Sequence, residues 1–237
     1  MASRNASFHE GVLAGVVLRP LKFAFALALA FVAILVLAWI IDWVFVFKVW
    51  PEGIERLRSI LAADLARGID LATRQGRVPG AITGTANFLY GAVFRATGIH
   101  DMGLRFAEGA ALSIPDTIMR NSYITNREAI EIAMIGTQLL GVRLATLVLM
   151  LPLMGLIYVI TAADGLTQRA IRRASGGRES ASLYHRAKHM QVAVAVMCVV
   201  LVLVWPTPLD WLLIGMPLAT IVGLLARVQW VYYKKHL

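Results

Sequence analysis

Hydrophobic positions along the chain fall into two patterns. Four runs are apolar all round and long enough to cross a bilayer, whose hydrocarbon core of about 30 Å takes about 20 helical residues. They are 23–47, interrupted only by Asp42 near its end; 144–163, bounded by Arg143 and Asp164; 190–205, extendable by a residue or two at each end; and 209–226. The last two are joined by WPTPLD, with only residues 206–208 in the turn, and so predict an antiparallel hairpin. The second pattern is periodic. In 52–75, Ile54, Leu57, Leu61, Leu65 and Ile69 recur at three- and four-residue steps, which predicts an amphipathic helix that needs a partner surface.

Between these patterns lie weaker signals. RVPGAITGTANFLYGAVF holds Gly80, Gly84 and Gly91, a spacing that allows close helix approach or, since Gly lowers helix stability, a flexible connection. Ser113, Pro115 and Asp116 mark a helix start, and Thr125 to Glu128 (TNRE) has the capping-box pattern. No helix breaker follows Asn126 until Pro152, which predicts one helix to about Ala163, 38 residues or roughly 57 Å at 1.5 Å per residue. Its first half, with Glu128, Glu131 and Arg143, is expected to stand outside the hydrocarbon and pack on the 52–75 helix. Pro152 is expected to kink it.

Composition agrees with the four runs, since 59% of the 237 residues are hydrophobic against roughly 45–50% in ordinary globular domains. The expected fold is an all-α integral membrane protein with four transmembrane helices and a helical extracytoplasmic insertion between the first and second. The first run is about twice the 7–15 apolar residues of a signal-peptide core, which predicts an uncleaved anchor. A lone cysteine, Cys198, excludes an intrachain disulfide and a thiol-rich metal site.

Charge adds an orientation. The net +9 resides in three segments: 1–22 at +2, 164–189 at +4 and the tail 227–237 at +3. The remainder is balanced, with ten basic and nine acidic residues in 48–142. Lys and Arg are retained in cytoplasmic loops, so both termini and the basic 164–189 loop are expected in the cytoplasm of a bacterial inner membrane, and 48–143 outside it. Trp39, Trp43, Trp50, Trp205 and Trp211 at the outer ends, and Trp230, Tyr232 and Tyr233 at the inner end, suit interfacial belts.

Candidate chemistry is sparse. Ionisable residues at membrane depth are functional hypotheses by default. Apart from Asp210 in the WPTPLD turn, the four runs offer only Asp42, which near Trp43 reads as a wetted interfacial carboxylate pairing with Lys48 or Arg143. His185 and His189 stand four apart, but HRAKH lacks the Glu of H-E-x-x-H and places Arg186 and Lys188 beside any cation. Ser182, His185 and Asp164 share a loop without a nucleophile-elbow pattern, and neither a P-loop nor a dinucleotide fingerprint occurs. The expectation is a protein without enzymatic activity or cofactor. The basic loop remains. It suits anionic lipid, at about 1 kcal/mol per basic residue, or a cytoplasmic protein partner. Direct DNA contact is disfavoured by its length and single aromatic, Tyr184.

The segment DGLTQRAIRRASGGRESASLYHRAKH, Asp164 to His189, resembles the loop of integral membrane proteins encoded in integrating conjugative elements, typically near the coupling ATPase gene. Asp164, Gly165, Gln168, Arg169, Gly177, Arg178, Glu179, Ser180, Tyr184, His185, Ala187 and Lys188 carry the resemblance; Ala170 departs from it, standing where a polar or acidic residue is expected. The layout of one span, a long outer segment and three close spans is also similar. The resemblance implies a setting, a conjugative DNA-transfer apparatus of type IV secretion kind, and no defined biochemical activity. In that setting Ser180 or Ser182 is expected to cap a helix and Arg178 and Glu179 to fix the turn. Arg169, Arg172, Arg173, Tyr184, His185, Arg186 and Lys188 complete a surface for the coupling ATPase, another secretion-channel component, or anionic lipid. A homo-oligomer is a further expectation. The alternatives are an exclusion protein that meets a donor's apparatus through the outer segment, and a small transporter or membrane enzyme.

Overall fold

The computed structural model describes residues 19–107, 114–176 and 181–233, with the backbone alone for 107, 114–116 and 181–183. These residues are helical almost throughout. Helix α1 (Arg19–Val44) ends in a π-helical turn (Phe45–Val49), α2 is Ile54–Arg74, and α3 (Gly80–Tyr90) runs into a second π-helical turn (Gly91–Arg95). Then follow α4 (Ile99–Ala107), α5 (Ile114–Thr125), α6 (Arg127–Ala174), α7 (Ala181–Val204) and α8 (Trp211–Val231). Four of the described helices, α1, α6, α7 and α8, are long and apolar enough to cross a membrane.

Helix α6 is the spine. Its 48 residues extend about 72 Å at 1.5 Å per residue, and α1, α2, α3 and α8 all pack along it. Helix α1 runs antiparallel to it: Leu35 and Ala38 cluster with Leu140, Asp42 faces Gly136, and Val46 meets Ile132 and Ile135. Helix α2 runs parallel, with Leu57 and Ile60 against Ile132, Ile135 and Leu139, and Leu71 beside Met150. Helix α3 returns upward, Ile82 packing with Ala145 and Leu149 and Leu89 with Leu140. The α2–α3 hairpin therefore overlaps in level with the start of the 144–163 run.

Small residues set how closely these helices approach, though not the ones the spacing suggested. Gly84 and Gly91 face open space and Gly80 meets only Val78. The tight contact is at Gly141, where an added methyl group would lie 2.6 Å from Ala86 Cα, closer than any real side chain stands. Gly68 serves α2 in the same way, against Ile82 and Thr146 at 3.0 Å. From Gly80 onward the glycine-containing stretch is thus a helix packed on α6 and not a flexible connection, and only a short non-helical link precedes it.

Other expectations need correction. Helix α6 does not stop near Ala163: it continues through Asp164 and Gly165 to Ala174, because Gly165 is buried where the Arg227 carbonyl of α8 passes 2.7 Å from its Cβ position. The Thr125–Glu128 capping box does not form; Asn126 is the N-cap, without a side-chain cap bond, and its amide donates back to the Ser122 carbonyl at 2.9 Å. Asp42 is not wetted. It is 5% exposed, with its carboxylate in the notch left by Gly136, and among the described residues it forms no ion pair with Lys48 or Arg143. Beside it, Trp39 Nε1 donates to Thr137 Oγ1 at 3.0 Å.

Candidate functional site

Two polar clusters stand out, one at each end of the α7–α8 hairpin. At the upper end, Arg143 is 1% exposed and Asp64 is fully buried. Arg143 Nε donates to Asp64 Oδ2 at 2.8 Å. Its Nη1 donates to the Trp205 carbonyl at 2.5 Å and more weakly to those of Val202 and Leu203 at 3.4 Å. Nη2 donates to the Thr207 carbonyl at 3.0 Å. The last carbonyls of a helix lack intrahelical partners and carry partial negative charge, and the planar guanidinium fork can meet several at once. Arg143 is thus the C-cap of α7. Asp64 completes the lock by accepting the Leu209 N–H at 2.7 Å, so α2, α6 and the α7–α8 turn are joined through one buried pair.

Asp64 was detectable as a signal. The buried stripe of α2 is Leu57, Ile60, Asp64, Gly68 and Leu71, so a carboxylate sits on an apolar face, and an arginine interrupts the apolar pattern of α6. Their partnership, 79 positions apart, has no local signature.

At the lower end the basic 164–189 stretch is mostly two helix ends. Helix α6 carries Arg169, Arg172 and Arg173 on its last turns and α7 carries Tyr184, His185, Arg186 and Lys188 on its first turns. Gly176 follows α6 in the left-handed region (φ 76°), the usual device for ending a helix. Arg178, Glu179 and Ser180 lie outside the described residues, as does the Ser182 side chain.

The end of α8 is gripped between these two helices. Arg172 Nη2 donates to the Val231 carbonyl at 2.6 Å, and its guanidinium lies 4.2 Å from the Tyr232 ring centroid. The Arg169 guanidinium lies 5.4 Å from the Tyr233 ring, which Tyr184 of α7 meets edge-on at 5.6 Å and Trp230 meets at 5.4 Å. Asp164 pairs with Arg227 at 2.5 Å, and Trp230 Nε1 donates to Tyr158 Oη at 3.2 Å. Arginine over an aromatic face gains from the ring quadrupole as well as from stacking. Of the residues expected to form the surface, Arg169, Arg172 and Tyr184 meet around the terminal tyrosines. Arg173, His185, Arg186 and Lys188 are exposed around them. Sequence reasoning placed Trp230, Tyr232 and Tyr233 in a membrane belt and missed them as the partners of Arg169 and Arg172.

The lower cluster can present cations on a rigid helical platform to acidic groups. No group of three or more metal-ligating side chains occurs among the described residues. Comparison with curated proteins and with solved structures returned no match. Residues 58–234 match the family described as IncC plasmid conjugative DNA transfer protein DtrJ-like, a range that includes both polar clusters. The chain therefore belongs to the DtrJ-like family of conjugative DNA transfer proteins.

Proposed function

We propose that the protein is a non-enzymatic component of a conjugative DNA-transfer apparatus, seated in the bacterial inner membrane by α1, α6, α7 and α8, with its basic end in the cytoplasm. That end docks a partner, and the coupling ATPase or another channel component with an acidic surface is the reading we favour. The observation that carries it is the gripped end of α8. Arg169 and Arg172 hold the terminal tyrosines, and this fixes the helix ends that carry the exposed Arg173, Arg186 and Lys188. A lipid anchor needs charge alone and has no use for this order. Anionic headgroups would still flank the platform, each cation contributing about 1 kcal/mol, and would retain this end on the cytoplasmic side.

The test is mating frequency after complemented deletion in donor or recipient separately, followed by co-purification from donors carrying Arg173→Glu, Arg186→Glu and Lys188→Glu together. Loss of transfer only from the deleted donor, and loss of the partner from the triple variant at normal membrane level, is the expected result. Unchanged co-purification would remove the docking role. Normal donor transfer with a recipient that newly accepts the element would replace the whole reading with exclusion of incoming transfer.

A further inference from the structure

The four apolar helices are staggered. Phe31, Ile34, Leu35 and Ala38, in the middle of the α1 apolar run, share a cluster with Leu203 and Val204 at the very end of α7. The α7–α8 turn is therefore level with the centre of α1. Helix α2 reaches the same depth, because Gly68 lies against Thr146 and Leu71 clusters with Met150, Val202 and Trp211. Its exposed side carries Arg67, Asp70 and Arg74. At this level α1 exposes Leu27, Leu29 and Val32, at 55%, 61% and 52%. One depth thus carries an apolar face and a charged face.

A hydrocarbon layer about 20 helical residues deep that keeps Arg19 and Lys22 at its inner edge includes this whole level. Charged side chains are costly in lipid, and the non-helical backbone of the α2–α3 connection cannot face acyl chains unless protein or water covers it. We propose that α2 and α3 form a re-entrant hairpin that carries a water-filled polar recess from the outer side down to the middle of the bilayer, between α2 and the α7–α8 turn. The inference rests on the reading that α1, α6, α7 and α8 cross the membrane.

The recess is visible as a cleft of about 230 Å³ with Arg67, Asp70, Arg74 and Asp210 on its polar side and Leu71, Trp211 and Leu212 on its apolar side, far more than the roughly 10–15 Å³ that one water needs. Its charges are largely met within the chain. Arg74 pairs with Asp70 at 2.8 Å, and Asp210 accepts the Leu212 and Leu213 N–H groups as the N-cap of α8. A charged protein partner is therefore not required, and water is the occupant that satisfies what remains. The sealed Arg143–Asp64 pair lies beside it, joining the hairpin to the turn.

The test is cysteine labelling of the full-length protein in sealed membrane vesicles of each orientation, using a membrane-impermeant maleimide and a Cys198→Ala background. Ala66→Cys and Thr73→Cys report the exposed side of α2 without removing a charge. Leu29→Cys and Val32→Cys report α1 near the same depth. The expected result is that the α2 positions label from one face only, whereas the α1 positions label only after detergent. Labelling of both sets without detergent would show that this half of the bundle stands clear of the bilayer and would overturn both the recess and the crossing of α1 at this level. Labelling of α1 alone, or of neither set before detergent, would overturn the water-filled recess and leave the mating result as the judge of the proposed function.

Discussion

Arg143 and Arg172 belong to one helix, roughly 43 Å apart at 1.5 Å per residue, and their surroundings are opposite. Arg143 is sealed from solvent, with an ion-pair partner and four carbonyls. Arg172 is half-buried, donates to the Val231 carbonyl at 2.6 Å and lies over a tyrosine ring. Both tie α6 to the carbonyls at a helix end, α7 above and α8 below. The difference lies in what water can do when the contact is broken. At the lower end water reaches the freed groups; at the upper end it does not.

That contrast sets the largest expected effect. Arg143→Ala leaves Asp64 and the last carbonyls of α7 buried without their donor, and removing one member of a buried pair costs about 3–5 kcal/mol. Asp64→Ala is expected to cost as much by stranding the guanidinium. Denaturation midpoints in detergent, read with steady-state membrane levels, check both. The double variant Arg143→Met with Asp64→Leu should recover part of the loss, since apolar replacement of a buried pair is often neutral, although the α7 carbonyls stay uncapped. Full additivity of the single losses would show that the two residues do not act as a unit.

A smaller effect sharpens the comparison within the packed upper region. Gly141→Ala forces a methyl group against the Ala86 backbone, and overpacking of this kind costs about 1–3 kcal/mol. Gly84→Ala meets open space and should stabilise by about 0.5–1 kcal/mol through helix propensity. Equal effects in the same unfolding assay would put the α3–α6 contact elsewhere.

At the lower end, Arg172→Ala is expected to cost about 1–2 kcal/mol, the sum of a modest hydrogen bond and a partly exposed cation–π contact. Arg172→Lys should restore less than half of it, because an ammonium cannot stack and bond the Val231 carbonyl together. The informative readout is partner co-purification beside stability. If the end of α8 is the frame for docking, Arg172→Ala weakens capture although Arg173, Arg186 and Lys188 are intact. Retained capture would mean that the exposed cations act without the frame.

Much of this arrangement was legible in the chain. Uninterrupted apolar runs identified the four long helices, and three- and four-residue steps identified α2, because those signals depend only on local periodicity. The lower platform was legible as basic residues with a tyrosine and a helix expected to begin near Ser180 or Ser182, but the extended end of α6 was not, since Asp164–Gly165 looks locally like a helix stop. Only the passage of α8 across Gly165 makes glycine a packing residue there. Arg143 looked like the edge of a span for a similar reason. A charge ending an apolar run is ordinary, and what distinguishes it is contact with Asp64 and with residues 202–207, all far away in sequence.

The smallest expected effect separates the two surroundings most finely. Asp70→Asn removes the partner of Arg74 in a pair that is 68% and 56% exposed. If water fills the recess beside α2, this pair behaves as a surface ion pair, worth about 0–1 kcal/mol, and the loss shrinks further as salt is raised because solvated charges are screened. If the same face is dry, the substitution strands a guanidinium and the loss rises toward the several kcal/mol expected at Arg143, with little response to salt. Stability of Asp70→Asn measured in lipid nanodiscs at low and high salt therefore reports directly on whether α2 borders water. A small, salt-sensitive loss places Arg74 with Arg172, and a large, salt-insensitive one places it with Arg143.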